Sequence, residues 1–496
     1  MAQIILVMPL ANRFDKIAMR IPNGILAVAA LPSRAGYSVK IIDLKIDNGW
    51  QSTLASSINS DTICVGISCS TGRMILSALE VASAVRKISQ TVPIIWGGTH
   101  PTLLPEQTLE NPLVDMVVIN EGDEVFMELV EALANRKNLS EINGIGYKKS
   151  GHVKINPPAQ MIKNLDSLPA VPYHLIDVSK YSSLNFRNLA SIDLVTSRGC
   201  PCSCTFCSTP FTSRGVWRAL SVESVIKNIS SLKDRYGIKV FYFVDDNFMV
   251  DLQRVEQFLD ALREAKLKIY WGTQGVRVDA IKKISSRLLD RIEEQGCVEL
   301  SIGLESANQK ILDMVDKRIS LQDIDGVNDK LAGRSFNVKY NMMIGFPGET
   351  ISSIKDTVRL ALRLYKKNKN SWFPFNIFTP FPGTAMFQKA IDYGFNVPDK
   401  LEEWVHLELV GWGKYYSYWL NGKDSEFLSS INCTSYLAFP SARSKITNPF
   451  FKMLFRIYRP FAYFRFSRMF YFMHIEKYLM QFMDNLQRNQ NSPSKN

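Results

Sequence analysis

The stretch that decides the fold reads Leu194-Val195-Thr196-Ser197-Arg198-Gly199-Cys200-Pro201-Cys202-Ser203-Cys204-Thr205-Phe206-Cys207. In it a short apolar strand runs into a loop that holds four of the eight cysteines of the chain. Cys200, Cys204 and Cys207 have the spacing Cys-x3-Cys-x2-Cys, which lets one irregular loop place three thiolates on three corners of an iron-sulfur cubane. The usual fourth protein ligand is missing. One iron therefore keeps an open position for a substrate or cofactor.

This loop, Ser197–Cys207, is called the cluster loop below, because it resembles the cluster loop of radical S-adenosylmethionine enzymes. The resemblance implies that the open iron of a 4Fe-4S cluster binds the amino and carboxylate groups of S-adenosylmethionine. It also implies that the reduced cluster cleaves the carbon-sulfur bond to give a 5'-deoxyadenosyl radical, with Phe206 near the adenine. In such enzymes the protein supplies orientation and the cofactor supplies the radical.

Zinc binding and disulfide formation are the alternative uses of these cysteines. A zinc site needs four ligands, and Cys202 would be the fourth. No His or second Cys pair follows at zinc-ribbon spacing, which disfavours zinc. A disulfide needs an oxidising compartment, and the start Met1-Ala2-Gln3-Ile4 has neither the charged segment nor the cleavage site of a signal peptide. We therefore expect a cytoplasmic protein with reduced cysteines. Cys202 departs from the family pattern and is expected to be a bystander thiol.

Composition bounds the possible partners. A length of 496 residues predicts two to four domains. The net charge of +12 indicates an anionic partner, such as a phosphate-bearing cofactor, an acidic lipid surface or nucleic acid. Nucleic acid is disfavoured, because no recognition module occurs and the cations concentrate beside aromatics near the C-terminus. No apolar stretch reaches the roughly 18 residues of a spanning helix.

Residues 1–137 are predicted to form a doubly wound, flavodoxin-like (Rossmann-type) α/β domain. Short apolar runs alternate with helical patterns, at residues 4–7, 39–44, 62–67, 92–95 and 116–118. In such sheets ligands bind at the carboxyl ends of the strands. The candidate ligand-binding residues at those ends are Ser68, Gly97, Gly98, His100 and Gly122.

Two of these strand ends resemble a known domain. Gly97-Gly98-Thr99-His100-Pro101-Thr102 and Asn120-Glu121-Gly122-Asp123-Glu124 resemble the cobalamin-binding domain that precedes many radical S-adenosylmethionine cores. The Asp-x-His-x-x-Gly motif of methionine synthase and the mutases is missing after the first strand. The resemblance therefore implies that cobalamin binds here and that no histidine of that motif is a ligand on its lower face. The alternative is that Gly97 and Gly98 form a tight strand exit and that His100 makes a surface contact.

A Gly- and Pro-rich linker, residues 138–185, precedes a second alternation of strands and helices at residues 186–400. Strands are predicted at residues 192–196, 240–244, 269–274, 298–303, 338–344 and 375–379. This pattern predicts a partial (β/α)6 TIM-like barrel with its chemistry at the strand ends.

The strand ends of this region carry motifs that resemble those of the same family in order. They are Val244–Phe248, Gln274 with Arg277-x-Asp279, Gly303–Ser306, Gly345–Thr350 and Thr379–Thr384. The resemblance implies that the cofactor contacts come from Phe206, Asp245, Asp246, Gln274, Arg277, Glu305, Gly345, Gly348 and Glu349. Asp245 and Asp246 have an alternative as a helix N-cap before Leu252. The alternative for Arg277 and Asp279 is an ion pair on the protein surface.

Residues 401–496 are predicted to be mostly helical. Six aromatic residues are expected either to close the substrate site or, for most of them, to form a hydrophobic cover over the barrel: Trp404, Trp412, Tyr415, Tyr416, Tyr418 and Trp419. The stretch Phe450 to Met480 combines aromatics with cations, and Lys452, Arg456 and Arg459 share one helical face. That pattern is typical of a helix lying on an anionic membrane. A helix docked on the protein with a solvated basic face would have the same pattern.

The function predicted from these resemblances is cobalamin-dependent methylation of an unactivated carbon on a hydrophobic or lipid-like small molecule. An electron donor such as flavodoxin or ferredoxin is expected as a partner, and peripheral membrane contact is a further expectation. The alternatives are a cobalamin-dependent oxidative cyclase or C-C bond-forming radical enzyme, and a non-catalytic cobalamin and iron-sulfur regulator.

Overall fold

The structure is a computed structural model that describes residues 2–11, 20–184, 186–407, 419–420, 422–440, 449–471, 475–476 and 478–479. The described residues divide into two compact units, Met1–Tyr181 with Val397–Leu409 and Ser182–Asn396 with Val410–Asn496. Each unit is built on its own main sheet.

A doubly wound sheet forms the first unit. Its strands are β1 (Gln3–Met8), β2 (Ser38–Asp43), β3 (Thr62–Ser68), β4 (Ile94–Gly97), β5 (Met116–Val118), β6 (Ile145–Lys149) and β7 (His152–Ile155). The order is β2-β1-β3-β4-β5-β6-β7; strands β1 to β5 pair in parallel, and β6 and β7 add an antiparallel hairpin. The parallel part has the flavodoxin-like order 2-1-3-4-5, so the predicted fold is confirmed.

Helices connect the strands of the first unit. They are α1 (Asn23–Arg34), α2 (Trp50–Ser57), α3 (Met74–Ile88), α4 (Thr99–Leu103), α5 (Pro105–Glu110) and α6 (Gly122–Ala134). Strand β1 is a continuous apolar run buried along its centre, as expected where both faces of a parallel sheet are covered. Helix α3 buries Ile75, Ala78 and Val85, which lie on one helical face.

The second unit contains the predicted parallel strands. Its strands are β8 (Ser183–Leu184), β9 (Ala190–Leu194), β10 (Ser197–Arg198), β11 (Arg218–Ala219), β12 (Val240–Phe243), β13 (Tyr270–Arg277), β14 (Cys297–Glu305), β15 (Asn337–Ile344), β16 (Ser371–Trp372) and β17 (Phe375–Ile377). The main sheet runs β16-β15-β14-β13-β12-β9-β8, with β17 also on β15. Parallel neighbours that follow each other in sequence are what an open, partial barrel requires, so this prediction is confirmed too.

Helices alternate with these strands and continue into the C-terminal region. They are α7 (Thr209–Ser213), α8 (Val222–Tyr236), α9 (Leu252–Glu264), α10 (Val278–Lys283), α11 (Ser286–Glu294), α12 (Gln309–Met314), α13 (Leu321–Leu331), α14 (Ile351–Lys367), α15 (Ala385–Asp392), α16 (Gly422–Ala438) and α17 (Pro449–Arg468). Helix α16 binds strand β17, since Asn432 Nδ2 donates to the Phe375 carbonyl at 2.5 Å and Phe375 N donates to Ser435 Oγ at 3.2 Å. Polar side chains of α16 therefore satisfy backbone groups of the sheet.

Helix α17 has both an inner and an outer apolar face. Phe455, Ala462 and Phe466 are buried. Arg465 is buried as well and forms an ion pair with Glu476 at 2.7 Å. Arg465 is one of the cations between Phe450 and Met480 that the membrane interpretation uses, and it is not available to a membrane because its charge is used inside the protein. The residues named above that lie outside those whose side chains are described are Lys452, Trp412, Tyr415, Tyr416 and Tyr418.

Candidate active site

The cluster loop begins where β9 ends, and two aspartates from the end of β12 hold it. The Asp245 carboxylate is buried and accepts hydrogen bonds from Thr196 N at 2.7 Å and from Ser197 Oγ at 2.7 Å. Asp246 accepts from Gly199 N at 3.0 Å. Burial raises the pKa of Asp245, although these donors oppose that shift. Both carboxylates thus fix the start of the loop that carries the cysteines.

The helix-cap alternative for these aspartates is wrong. Asp251 caps α9, since its side chain accepts from Gln253 N at 2.9 Å and from Arg254 N at 3.1 Å. Asp245 and Asp246 therefore do not cap α9. Their carboxylates accept hydrogen bonds from the start of the cluster loop instead. Their contact with a cofactor stays a prediction.

The cysteines of the loop are free thiols, half-buried in one short segment. Asn247 Nδ2 lies 3.8 Å from the Cys200 sulfur, and Arg277 Nη1 donates to the Cys204 sulfur at 3.3 Å. The hydrogen bond from the Cys202 thiol lowers the pKa of Cys200 to about 6. Burial raises the pKa of Cys207. N–H groups directed at sulfur suit thiolate ligands, because such hydrogen bonds tune an iron-sulfur cluster.

The donor set fits a cluster better than a single ion. Within the described part of the chain, no group of three or more His, Cys, Asp or Glu side chains could hold one metal ion. A 4Fe-4S cubane requires cysteines that lie apart, because each cysteine binds its own iron at a separate corner. Cys200, Cys204 and Cys207, separated along one loop, would hold three irons and leave the fourth for S-adenosylmethionine. Their assignment as ligands stays a prediction.

Gly199 allows the loop to fold tightly beside Cys200. Its φ of +85° is in the left-handed region that favours glycine. A Cβ there would collide with the carbonyl oxygen of Val216 and would lie 2.8 Å from Ser213 Cβ. Any larger residue would push the cluster loop away from the segment that follows it.

Arg277, at the end of β13, connects the cluster loop to the segment after α12. Besides its contact with Cys204, its Nη2 donates to the Lys317 carbonyl at 2.8 Å and its Nε donates to Asp279 Oδ1 at 2.9 Å. The Arg277 side chain is 11% exposed, so the alternative of a surface ion pair is wrong for this residue. Gln274 lies on the same strand and is half-buried.

Lys317 is a site residue that the sequence reasoning missed. Its Nζ forms an ion pair with Glu305 Oε1 at 2.6 Å, with the two side chains 6% and 7% exposed. It also lies 5.9 Å from the centre of the Phe206 ring. Burial opposes its charge, yet the carboxylate of Glu305 holds the pKa of Lys317 above its ordinary value. In the sequence Asp316-Lys317-Arg318 looks like a solvated charge run, so no local signal distinguishes the central lysine.

Backbone conformation and a glycine make room for this pair. Glu305 has φ +69°, and Asp316 and Arg318 on either side of Lys317 have φ +49° and +56°. Such values are uncommon outside glycine. A Cβ on Gly303 would lie 2.5 Å from Glu305 Oε1 and 2.7 Å from Lys317 Nζ. Gly303 in the Gly303–Ser306 motif therefore has a physical role, because the absence of a side chain leaves space for the ion pair.

The Gly345–Thr350 motif is held by its own carboxylate. Glu349 Oε2 accepts from Gly345 N at 2.7 Å and from Phe346 N at 3.2 Å. Burial raises the pKa of Glu349 to about 7. Gly348 has φ +77°, and a Cβ on it would lie 2.8 Å from the hydroxyl of Tyr393. Thr350 caps α14, and its side chain accepts from Ser353 N at 3.2 Å.

A row of aromatic rings extends from the cluster loop. Phe206 lies 6.2 Å from Phe346, Phe346 lies 5.2 Å from Phe378, and Phe378 lies 5.8 Å from Trp419, measured between ring centroids. Trp419 also donates to the Gly345 carbonyl at 3.0 Å. The cluster loop therefore meets aromatic rings through Phe206 and cationic groups through Arg277 and Lys317.

The second cluster of candidates lies in the first unit. Ser68 and Gly97 are partners in register at the ends of β3 and β4. Gly98 has φ +108°, and a Cβ on it would lie 2.6 Å from the Cys69 carbonyl oxygen, so the tight strand exit requires glycine. Gly122 opens α6 after β5. The structure therefore brings these residues to one edge of the sheet.

His100 is buried rather than exposed, so the alternative of a surface contact is wrong. Its Nδ1 lies 3.0 Å from Thr71 Oγ1, and burial lowers its pKa to about 4. Among the described residues its Nε2 has no hydrogen-bond partner. The neutral imidazole is completely buried in the structure, and its contact with cobalamin stays a prediction.

Trp404 covers His100 within the first unit. The two rings are 5.9 Å apart in an edge-on arrangement, and Trp404 Nε1 donates to Gln107 Oε1 at 2.6 Å. Trp404 thus packs within the first unit, and its role as a cover over the barrel stays a prediction. The 3-10 helix Leu401–His406 packs against α3.

Comparison with known proteins agrees with both halves of this description. The family model described as the radical SAM superfamily matches residues 194–361, and the one described as a B12 binding domain matches residues 20–130. An "Uncharacterized methyltransferase PH0819" of Pyrococcus horikoshii is 32% identical over 88% of this chain and 92% of its own length. A cytidylyl-2-hydroxyethylphosphonate methyltransferase of Streptomyces wedmorensis is 24% identical over 80% of this chain and 83% of its own length.

Solved structures share the fold. The radical enzyme OxsB, solved with aqua-cobalamin and S-adenosylmethionine, superposes with a TM-score of 0.71 at 17% identity, covering 99% of this chain and 75% of its own. The methyltransferase TsrM from Kitasatospora setae, solved with cobalamin and a [4Fe-4S] cluster, superposes with a TM-score of 0.65 at 15% identity, covering 80% of this chain and 76% of its own.

Proposed function

The chain belongs to the family of cobalamin-dependent radical S-adenosylmethionine enzymes, and from that premise we propose that it methylates an unactivated carbon of a hydrophobic small molecule. It is a radical enzyme of the methyltransferase type, with a 4Fe-4S cluster, S-adenosylmethionine and cobalamin as its cofactors. What the proposal adds is the kind of carbon and the kind of substrate. When bound, the cluster and S-adenosylmethionine supply the hydrogen-abstracting radical, and cobalamin supplies the methyl group.

The observation that carries the proposal is the convergence of cationic and aromatic side chains on the cluster loop. Arg277 contacts the Cys204 sulfur, and Lys317 lies between Glu305 and the ring of Phe206. Buried cations at that place stabilise negative charge on the thiolates and on a carboxylate brought to the open iron. A regulator without turnover has no need for this arrangement, so we favour an enzyme.

The hydrophobic character of the substrate is supported by the aromatic row. Phe206, Phe346, Phe378 and Trp419 form consecutive ring contacts that begin at the cluster loop. Aromatic faces exclude water and bind apolar groups, and exclusion of water protects a reactive radical from side reactions. Phe346 and Phe378 are buried, so the half-buried rings of Phe206 and Trp419 are the part of the row that an apolar substrate would contact.

Peripheral contact with an anionic membrane is part of the proposal. The outer face of α17, defined by Met453, Ile457, Phe461 and Phe464, is exposed, and Ile457 reaches 69% exposure. Residues 449–468 contain no acidic residue and five cations, of which Arg465 is used in the buried ion pair with Glu476. Apolar side chains beside cations match a lipid surface with acidic headgroups. Among the described helices, none combines the length and apolar character needed to cross a bilayer.

Product analysis after anaerobic turnover tests the proposal. The enzyme is supplied with dithionite as the electron source, with S-adenosylmethionine that carries an isotopically labelled methyl group, with cobalamin and with a lipid extract. The products are then separated by mass spectrometry. We expect 5'-deoxyadenosine together with an apolar product that has gained the labelled methyl. A new product without label would favour the oxidative cyclase, a reaction that anaerobic magnesium-protoporphyrin ester cyclases among the relatives are named for. Absence of 5'-deoxyadenosine would favour the regulator.

A further inference from the structure

Residues 397–407, named here the strap, belong to the first unit although they follow α15 of the second unit in the chain. One side chain of α5 holds the strap at two points. Gln107 Nε2 donates to the Pro398 carbonyl at 2.8 Å, and Gln107 Oε1 accepts from Trp404 Nε1 at 2.6 Å. Side-chain hydrogen bonds therefore fix both the beginning and the middle of the strap to the first unit.

The end of the strap lies on the loop that follows β3. A Cβ on Gly72 of that loop would collide with the Leu407 carbonyl oxygen. Gly72 has φ +107°, so the close approach of the two backbones requires glycine. Glu402 adds a further attachment, because its carboxylate accepts from Asn111 Nδ2 at 2.5 Å. The strap thus packs at the carboxyl end of β3, where ligands bind in sheets of this kind.

The same loop is attached to the motif at residues 97–102 after β4. Cys69 N donates to the Gly97 carbonyl at 2.7 Å, and the Cys69 carbonyl accepts from His100 N at 3.2 Å. Thr71 Oγ1 lies 3.0 Å from His100 Nδ1. These contacts join the ends of two neighbouring strands, and Trp404 of the strap lies against the His100 ring.

The attachments leave part of the loop accessible. Cys69, Thr71 and Gly72 are buried, whereas Ser68 and Ser70 are half-buried. The buried residues make the contacts with the strap and with the motif after β4. The half-buried serines therefore remain accessible to a ligand at the carboxyl edge of the sheet.

We infer that the strap is a positioning element of the cobalamin site. It fixes the loop after β3 and, through Trp404, the imidazole of His100, and so slows the release of cobalamin. The inference rests on the proposed function, since it requires cobalamin at this edge of the first unit. A loop that is fixed before the ligand arrives loses less conformational freedom on binding, so preorganisation strengthens binding. The strap lies outside residues 20–130, which match the B12 binding domain, so the family model does not contain this element.

The release of radiolabelled hydroxocobalamin from the reconstituted holoenzyme tests the strap, with excess unlabelled hydroxocobalamin as the chase. Gln107→Met removes two strap hydrogen bonds with a side chain of similar length, so we expect release at least about tenfold faster than in the wild type. Trp404→Phe keeps an aromatic ring and loses one of these bonds, so its release should be faster by a smaller factor. Thr71→Val should also speed release, because it loses the contact with His100. Thr71→Ser keeps the hydroxyl and should release cobalamin near the wild-type rate.

Arg86→Met is the matched control in the same unit. Arg86 Nη1 donates to the Val92 carbonyl at 2.7 Å, and Arg86 also pairs with Asp115. Both partners precede strands β4 and β5, at the amino ends of the sheet. This variant should lower the urea midpoint of the first unit and leave cobalamin release unchanged.

The inference is overturned if Gln107→Met and Trp404→Phe release cobalamin at the wild-type rate. It is also overturned if Arg86→Met releases cobalamin as fast as Gln107→Met, because release would then follow the stability of the whole unit. Equal rates for Thr71→Ser and Thr71→Val would overturn it too, since the hydroxyl would then have no part in retention. If the wild type itself binds no cobalamin, the proposed function fails, and that outcome is separate.

Discussion

Replacement of Lys317 by Met tests whether the ion pair beneath Phe206 holds this site together. The Nζ to Oε1 distance is 2.6 Å and both side chains are almost fully buried, so the change leaves Glu305 charged without its partner. Removal of one partner from a buried pair costs about 3–5 kcal/mol. Met has nearly the length of Lys, so a cavity adds little. The double variant Lys317→Met with Glu305→Gln removes both charges and should recover most of that loss.

Urea unfolding of the apoprotein, followed by circular dichroism, measures these changes as shifts in midpoint at constant slope. A double-mutant cycle over the four proteins isolates the coupling between Lys317 and Glu305. Lys339→Met is the control, because it removes a lysine of the same unit that has no part in this pair. The reasoning is refuted if Lys317→Met lies within about 1 kcal/mol of the wild type, or if the double variant is no more stable than the single one.

Further predictions concern pH, the membrane and cobalt. Because burial raises the pKa of Glu349 to about 7, from an unfolded value near 4.5, the folded wild type binds an extra proton between those values. Its stability should fall as pH rises from about 4.5 to 7, and urea titrations of Glu349→Gln should lose that slope. Ile457→Asp with Phe461→Asp should abolish sedimentation with acidic liposomes, whereas Leu76→Asp should not; equal binding to neutral vesicles would contradict the proposed contact. Cobalt(II) electron paramagnetic resonance of the holoenzyme should show no nitrogen splitting from a protein histidine, because His100 lies buried under Trp404; a splitting lost in His100→Phe would contradict this.

The strands were predictable from the sequence because a parallel strand buried on both faces is a continuous apolar run. Residues 62–67 and 338–344 correspond to β3 and β15 with shifts of about one residue at the ends. The strand-end positions of Asp245 and Glu305 followed from the same pattern, since loops after parallel strands meet at one edge. Local periodicity therefore contained most of the information on fold.

Long-range contacts were not predictable in this way. Lys317 pairs with Glu305 only because unusual backbone angles turn it inward, and nothing in Asp316-Lys317-Arg318 indicates that turn. Trp404 lies almost 300 residues after Gln107, and its local sequence does not say which unit it joins. Arg465 looked like a surface cation because its partner, Glu476, lies in a different segment. In each case tertiary packing determines the burial and the partner of the side chain, and the local sequence pattern contains no signal for either.

Iron content and S-adenosylmethionine cleavage in single cysteine variants test the central claim most directly. We predict that the anaerobically reconstituted wild type holds about four irons per chain and produces 5'-deoxyadenosine with dithionite. Cys200→Ala, Cys204→Ala and Cys207→Ala should each lose both properties, while Cys202→Ala should keep both. Loss of iron in Cys202→Ala, together with its retention in Cys200→Ala or Cys204→Ala, would contradict the account.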